Sequence, residues 1–417
     1  MKTVALYDIC GRIPNLALMK LSAYYKAKGY APILCKKAVS VSAWRHYASC
    51  VFHHPRAERE LATLRSRLGD DVVIGGSGVN LDRQLPPEVD RCFPDYALYG
   101  WHGYALSFLS RGRNSRCPFC LVPRKEGSLR EDYATFEDFV PVGQRNVMLL
   151  DANLLATRNV YTLLEEMIRR RFRINFSQTL DIRSLKADMI PLLARVRSVN
   201  SRFTKPMYYF SCNSLAQAAL FREKYDLLRS LPGRITVIVM FGYDKTLAEE
   251  YAILAELQRL GLILFLQKYM RLPGCHPRPP ANYFDLEIDR IADIRFRTNG
   301  RNNEKFLSFV NQRYFEKFGR YYLPLLEARY RYNCKETIYK YLRNPKLVTR
   351  RKAPHFRALP QTRPAPRRKS PMSRQTRAAT KTVDDGADSI SPPQRGTRKD
   401  ACANNGPKGT ARKFAAR

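Results

Sequence analysis

Two cysteines three positions apart, Cys117 and Cys120, lie in the stretch RGRNSRCPFCLVPRKEG (111–127). A C-x-x-C pair has three ordinary uses: thiolate ligands to a metal, a dithiol that cycles with its disulfide, or two packed apolar side chains. Four positions before Cys117, where a third thiol would complete a metal-binding loop, stands Arg113. The other eight cysteines (10, 35, 50, 92, 212, 275, 334 and 402) are scattered and make no dense framework, so packing is expected of most of them in a reducing compartment. A zinc reading would need Cys275 and His276 as the second ligand pair, and their adjacency is awkward for a tetrahedral site. A redox reading needs a helix opening just after Cys120 to lower the thiol pKa, and LVPRKEG is not expected to open one.

A loop of this kind must be presented by a framework, and the pattern supplies one. Short apolar runs at 104–110, 146–151, 173–178, 207–211, 235–241 and 262–268 read as strands buried on both faces. Helical patterns alternate with most of them, at 160–171, 184–196, 214–231 and 247–260, the last stopped by Gly261. Strand and helix alternating about six times predicts a parallel α/β sheet, open or curled into a partial (β/α)6 barrel, with chemistry at the C-terminal strand ends. The thiol pair follows the first of these strands.

A smaller α/β series precedes it: a strand at 3–8, a helix at 15–29, and strands at 31–35 and 71–79 that end in the G-G-S-G turn Gly75–Gly78. This predicts an open doubly wound, Rossmann-like domain. The glycines let a backbone approach a phosphate or simply make a tight turn. The expected domains are 1–100 (Rossmann-like), 101–275 (barrel), 276–344 (a helical C-terminal cap rich in Phe and Tyr) and 345–417 (a disordered tail).

On SFLSRGRNSRCPFCLVPRKEG, VMLLDANLL (147–155), NFSQTLDIRSL (175–185) and DICGRIPNLALMKLSAYYKAKG, the sequence resembles the radical S-adenosylmethionine enzymes. The likeness is to the group with an N-terminal cobalamin-binding-like domain, and it spans 1–340. In that family a C-x-x-x-C-x-x-C loop gives three thiolates to a [4Fe-4S] cluster. The open iron chelates S-adenosylmethionine, which electron transfer cleaves to a 5′-deoxyadenosyl radical. The resemblance implies that Cys117 and Cys120 are the second and third thiolates and that Phe119 is the aromatic between them. It places Asp151 and Asn153 near the methionine end of the cofactor, with helix capping as the alternative. It places Gln178, Asp181 and Arg183 at the barrel mouth, with a plain Asp181–Arg183 ion pair as the alternative, and Gly242 against adenosine or in a turn. Arg113 stands at the first thiolate position, and a guanidinium has no lone pair for iron. Either Cys92 or Cys10 supplies the third sulfur, or the cluster is weakened or lost. The D-x-H-x-x-G arrangement of a base-off cobalamin site is missing, since Cys10 follows Asp8 where histidine would stand, and this argues against cobalamin.

The charge raises a second class of function. The formal net charge over 417 residues is +36. Residues 345–417 carry 19 Lys and Arg against 4 acids, with 9 prolines, and cannot bury enough apolar surface to order. A surplus of +21 remains in the rest of the chain. A polyanion such as a nucleic acid is therefore an expected partner. A reductant such as a flavodoxin or ferredoxin is expected only if the chain is an enzyme. No apolar run is long enough to span a membrane and no secretory leader is recognisable, so a cytoplasmic location is expected. Two functions stand: radical chemistry on an unknown substrate, or an inactive relative that binds polyanions.

Overall fold

The computed structural model describes residues 1–39, 41–100, 103–114, 117–270 and 282–283, and the helical pairs 305–306, 309–310, 312–313 and 316–317. Cys275, His276, most of the expected cap and all of the expected tail lie outside the described residues.

Three four-stranded sheets, all parallel within themselves, make up the described structure. The first has the order β2-β1-β3-β4, from β1 (Thr3–Asp8), β2 (Ala31–Cys35), β3 (Arg45–Ser49) and β4 (Val72–Gly75). Helix α1 (Leu16–Ala27) crosses from β1 to β2 and α2 (Pro55–Leu68) from β3 to β4. The start of α1 is fixed by Asn15, whose side chain accepts the amides of Ala17 and Leu18 at 3.1 and 3.3 Å. Its buried face, Leu18, Leu21 and Tyr25, packs on Val4 and Leu6 of β1. Strand β3 and helix α2 are additions to the sequence expectation. The strand, RHYAS, is short and half polar, and α2 is so charged that its apolar stripe reduces to Ala57, Leu61 and Leu64.

The G-G-S-G turn belongs to the protein's own packing. A Cβ on Gly76 would lie 2.3 Å from the Cys50 carbonyl oxygen, and one on Gly78 would lie 2.7 Å from the Phe52 backbone. The close approach that glycine permits is therefore made to the segment after β3.

The remaining sheets have the orders β5-β6-β7-β9 and β12-β11-β10-β8. Their strands are β5 (Ala105–Ser107), β6 (Asn146–Leu149), β7 (Arg173–Phe176), β8 (Leu180–Asp181), β9 (Arg197–Ser198), β10 (Met207–Ser211), β11 (Arg234–Phe241) and β12 (Ile263–Lys268). One continuous apolar core lines both sheets, running from Leu106, Val147 and Ile174 to Phe210, Val237 and Leu264. Phe306 and Val310 of the helical pairs join it.

The helices between the strands are α3 (Pro87–Asp90), α4 (Val122–Glu126), α5 (Val160–Arg169), α6 (Ile190–Arg195), α7 (Leu215–Glu223), α8 (Tyr225–Arg229) and α9 (Leu247–Arg259). Helix α9 opens on a capping box, Thr246 with Glu249. Two expected helices are shorter than their pattern. The run at 184–196 starts with the amides of Arg183 and Ser184 turned back onto Asp181, passes through a 3-10 turn at Ala187–Met189 and becomes α-helical at Ile190. The run at 214–231 breaks at Lys224, whose ammonium reaches the carbonyls of Ile182 and Leu185 at 3.1 and 2.8 Å. The expectation that LVPRKEG opens no helix is corrected: α4 begins at Val122, with Pro123 in its first turn.

Glu250 on α9 is a buried carboxyl that ties the end of β11 to Tyr283. It accepts the Gly242 amide at 2.7 Å and the Tyr283 hydroxyl at 2.9 Å. Burial pushes its pKa up to about 7, against the opposing pull of those two donors. A carboxyl whose pKa is higher folded than unfolded stabilises the fold fully below its unfolded value of 4.5, and loses that contribution as pH rises through about 7. Glu250→Gln, which keeps an acceptor for Gly242, should therefore gain on wild type between pH 4.5 and 7.5, by on the order of 3 kcal/mol at most. Urea midpoints of the two proteins at several pH values check this, and a difference independent of pH contradicts it.

Candidate functional site

The thiol loop leaves β5 and is closed on itself. Arg111 and Arg130 exchange backbone hydrogen bonds at 2.9 and 2.7 Å, and the Arg113 amide donates to the Gly127 carbonyl at 3.1 Å. Gly112 makes this closure possible: its φ is +87°, and a Cβ there would lie 2.1 Å from the Ser128 carbonyl oxygen. The base of the loop is held by Asp151. Its carboxylate accepts the amides of Leu109 and Ser110 and the Ser110 hydroxyl, the last at 2.7 Å. Burial raises the Asp151 pKa to about 6, although these donors pull it down. Asp151 therefore positions the loop, and its oxygens are occupied by it.

The loop is also docked on the first sheet's connections. The buried Lys125 ammonium donates to the carbonyls of Asn80 and Arg83 at 3.1 and 2.6 Å, and Gln84 Nε2 donates to the Lys125 carbonyl at 2.9 Å. Asp90, Lys20, Tyr133 and Arg111 form a second tie. Tyr133 donates to Asp90 at 2.7 Å, and Arg111 donates to Tyr133 at 3.0 Å.

At the strand ends the loop meets the β8 turn. Arg113 Nη2 donates to Asp181 Oδ2 at 2.9 Å, and Arg183 grips the same carboxylate through Nε at 2.9 Å and Nη2 at 2.5 Å. The Arg183 Nη2 also lies 3.7 Å from Cys117 Sγ. The Asp181 side chain is only 3% exposed and that of Arg113 16%. Burial alone would raise the Asp181 pKa; the hydrogen bonds of Arg183 and the charges of both arginines outweigh it and hold the carboxyl below its ordinary range. Burial pushes the Cys120 thiol up, and the Val122 amide and the Arg113 charge offset this only in part. A helix does follow Cys120, yet this thiol is not lowered as a redox dithiol would need.

The other expected site residues are distributed around this cluster. Asn153 bridges β6 to the β8 turn, donating to Ser184 Oγ at 2.9 Å and accepting the Asp181 amide at 3.4 Å. Phe119 packs edge-on against Tyr243, with ring centroids 5.9 Å apart. Gln178 is exposed on the turn after β7. Gly242 has φ +81° and faces the Phe309 ring, whose nearest atom would lie 2.7 Å from a Cβ there. Cys212 is fully buried, and its thiol is pushed up to about 12 by burial. Cys92 donates to the Glu88 carbonyl of α3, and Cys10, two residues past β1, has a left-handed conformation (φ +57°). The three described histidines are engaged locally: His46 with Tyr7, His53 with Glu58 and the Gly78 carbonyl, and His54 capping α2.

A three-thiolate cluster does not fit these donors. Two sulfurs are present, the third position holds a guanidinium already bound to a carboxylate, and no group of three His, Cys, Asp or Glu side chains placed to hold a metal occurs among the described residues. The partner that sequence reasoning missed is the one Asp181 gives to Arg113, because the two are 68 positions apart.

No protein-family model matches the chain, and no curated protein matches it. Solved structures do. The radical S-adenosylmethionine methyltransferase TsrM from Kitasatospora setae, with its tryptophan substrate and an S-adenosylmethionine analogue bound, superimposes with a TM-score of 0.50 at 14% identity, covering 66% of this chain and 74% of that one. The same enzyme with cobalamin and a [4Fe-4S] cluster bound gives 0.49 at 14% identity, over 65% and 76%. SuiB from Streptococcus suis gives 0.31 at 12%, over 63% and 54%. At such identities the likeness to TsrM is one of fold. Among the described residues no helix is long and apolar enough to cross a membrane.

Proposed function

We propose that this chain is a radical S-adenosylmethionine-like protein without radical chemistry, which works by binding a polyanion, a nucleic acid being the class its charge fits. The Arg113–Asp181 ion pair carries this reading. An arginine that merely replaced a ligand would leave a gap beside two thiols; here the guanidinium is seated on a buried carboxylate that also holds Arg183. On this reading the position is filled by a charge-paired plug.

The fold supports descent from such enzymes. Strands β5, β6, β7, β10, β11 and β12 follow in chain order; β9 extends one sheet beside β7, β8 extends the other beside β10, and both sheets share one core. On this reading Asp151 serves as loop anchor, Asn153 as turn bridge, and Gly242 and Phe119 as packing contacts, while Gln178 is exposed.

Anaerobic reconstitution with iron and sulfide tests the proposal. The expected product is colourless and retains less than about one iron per chain after desalting. A brown protein with about four irons per chain would restore the enzyme reading, and with it a flavodoxin- or ferredoxin-type reductant.

A further inference from the structure

The surface opposite the thiol loop is unusually basic. The loops that enter the N-terminal ends of β7, β9, β10 and β11 contain the segments 169–173, 195–205 and 229–234, which together hold ten Lys and Arg and no Asp or Glu. Because the strands run parallel, these segments gather at one end of the two sheets, away from Cys117 and Asp181.

Their backbones are locked together. The Arg173 amide donates to the Arg145 carbonyl at 2.8 Å, the Arg145 guanidinium donates to the Arg170 carbonyl at 2.5 Å, and Arg173 reaches the Phe203 carbonyl. Arg173 and Arg197 face each other in the β7–β9 ladder, about 4.8 Å apart as neighbouring strands are. Arg171 and Phe203 are held at φ +55° and +56°, a left-handed backbone uncommon in such residues. Asn200 fixes the second of these turns by accepting the amides of Thr204 and Lys205.

What this frame displays is charge without acidic partners. Arg145, Arg171, Arg195, Arg197, Arg202 and Lys205 are exposed and make no ion pair among the described residues, and Arg234 is likewise exposed at the start of β11. The acids that do pair here, Glu137 and Glu166, are taken by Arg169 and Arg170. Folding does not require this many like charges on one face, and their mutual repulsion disfavours the compact state.

We propose that this face binds the phosphodiester backbone of a nucleic acid without reading its sequence, an inference that rests on the polyanion reading above and gives it a place. Arginine predominates over lysine, and its planar fork grips phosphate oxygens in pairs. An anionic membrane is the weaker fit: among the described residues, Val142 is the one exposed large apolar side chain beside these loops, and surface anchoring needs apolar anchors as well as charge.

The test compares two variants of the full chain on a single-stranded oligonucleotide of mixed sequence. In the first, Arg171, Arg195, Arg197 and Arg202 are changed to Gln; in the second, Arg12, Arg59, Arg65 and Arg91, exposed on the other part of the molecule, are changed the same way. The first should bind at least about tenfold more weakly and flatten the slope of log affinity against log salt by about 3, and the second should match wild type. Equal losses in both would reduce the effect to net charge and overturn the proposal, as would no loss in either. Stronger binding to phosphatidylserine vesicles than to the oligonucleotide overturns it in favour of a membrane. Iron content is measured on the same wild-type preparation, so a bound cluster would overturn the loss of chemistry while leaving the binding result to stand or fall by itself.

Discussion

Arg113→Cys is expected to raise the iron retained after anaerobic reconstitution from below one to about four atoms per chain, with the brown colour of a [4Fe-4S] cluster. The substitution removes the guanidinium that now sits beside Cys120 and lays a third thiol into the same loop. Asp181 is not stranded by the change, because Arg183 still holds both of its oxygens. The loop keeps its shape through bonds that Arg113's side chain does not make, including the Arg111–Arg130 bridge and the Asp151 anchor. Arg113→Ala separates the two effects: it vacates the position without adding sulfur and should stay low in iron. If the cysteine and alanine variants retain equal iron, the arginine does not stand in a ligand's place.

Asp181→Ala should cost about 3 kcal/mol of stability, the largest loss expected from any single change at this site. The carboxylate is buried and is the acceptor that Arg113's side chain has been given, while the Arg113 Nε is already buried without an acceptor. Removing Asp181 leaves a mostly buried cation unpaired and frees the turn that Asp181 forms with the amide of Arg183. Arg183 contributes less to the loss, since it is 40% exposed and water can replace its partner. Denaturant midpoints give the measurement. Arg113→Met combined with Asp181→Ala should lose clearly less than the two changes summed, because the penalty lies in the orphaned charge. Strict additivity would show that the ion pair does not hold the site.

Much of the framework was legible because buried parallel strands are short, continuous apolar runs. MYYFS and APILC match the observed strands residue for residue, and ITVIVMF differs from its strand by one residue. What escaped was whatever depends on contacts between distant segments. Strand β3 has too little apolar pattern to announce itself, and the break at Lys224 exists because its ammonium finds two carbonyls some forty positions away. Of the site, the arginine four positions ahead of the thiol pair was plain in the spacing, and the Asp181–Arg183 pair was among the readings that two residues of separation allow. The seating of Arg113 on that pair was not, since nothing local in RGRNSRC points to residue 181. Asp151 shows the same limit: an acid after a strand has many uses, and only the fold reveals that it gathers two amides and a hydroxyl of the loop ahead of it.

The Lys125 ammonium, enclosed by carbonyls from 80 and 83, has a consequence for how this molecule could change without falling apart. Lifting the thiol loop off the first sheet would break both of these bonds and the one from Gln84 to the Lys125 carbonyl, so the two segments are tied together. This tie is made by none of the residues at the strand ends. Side chains at the strand ends can therefore be exchanged while these ties keep the loop on the first sheet.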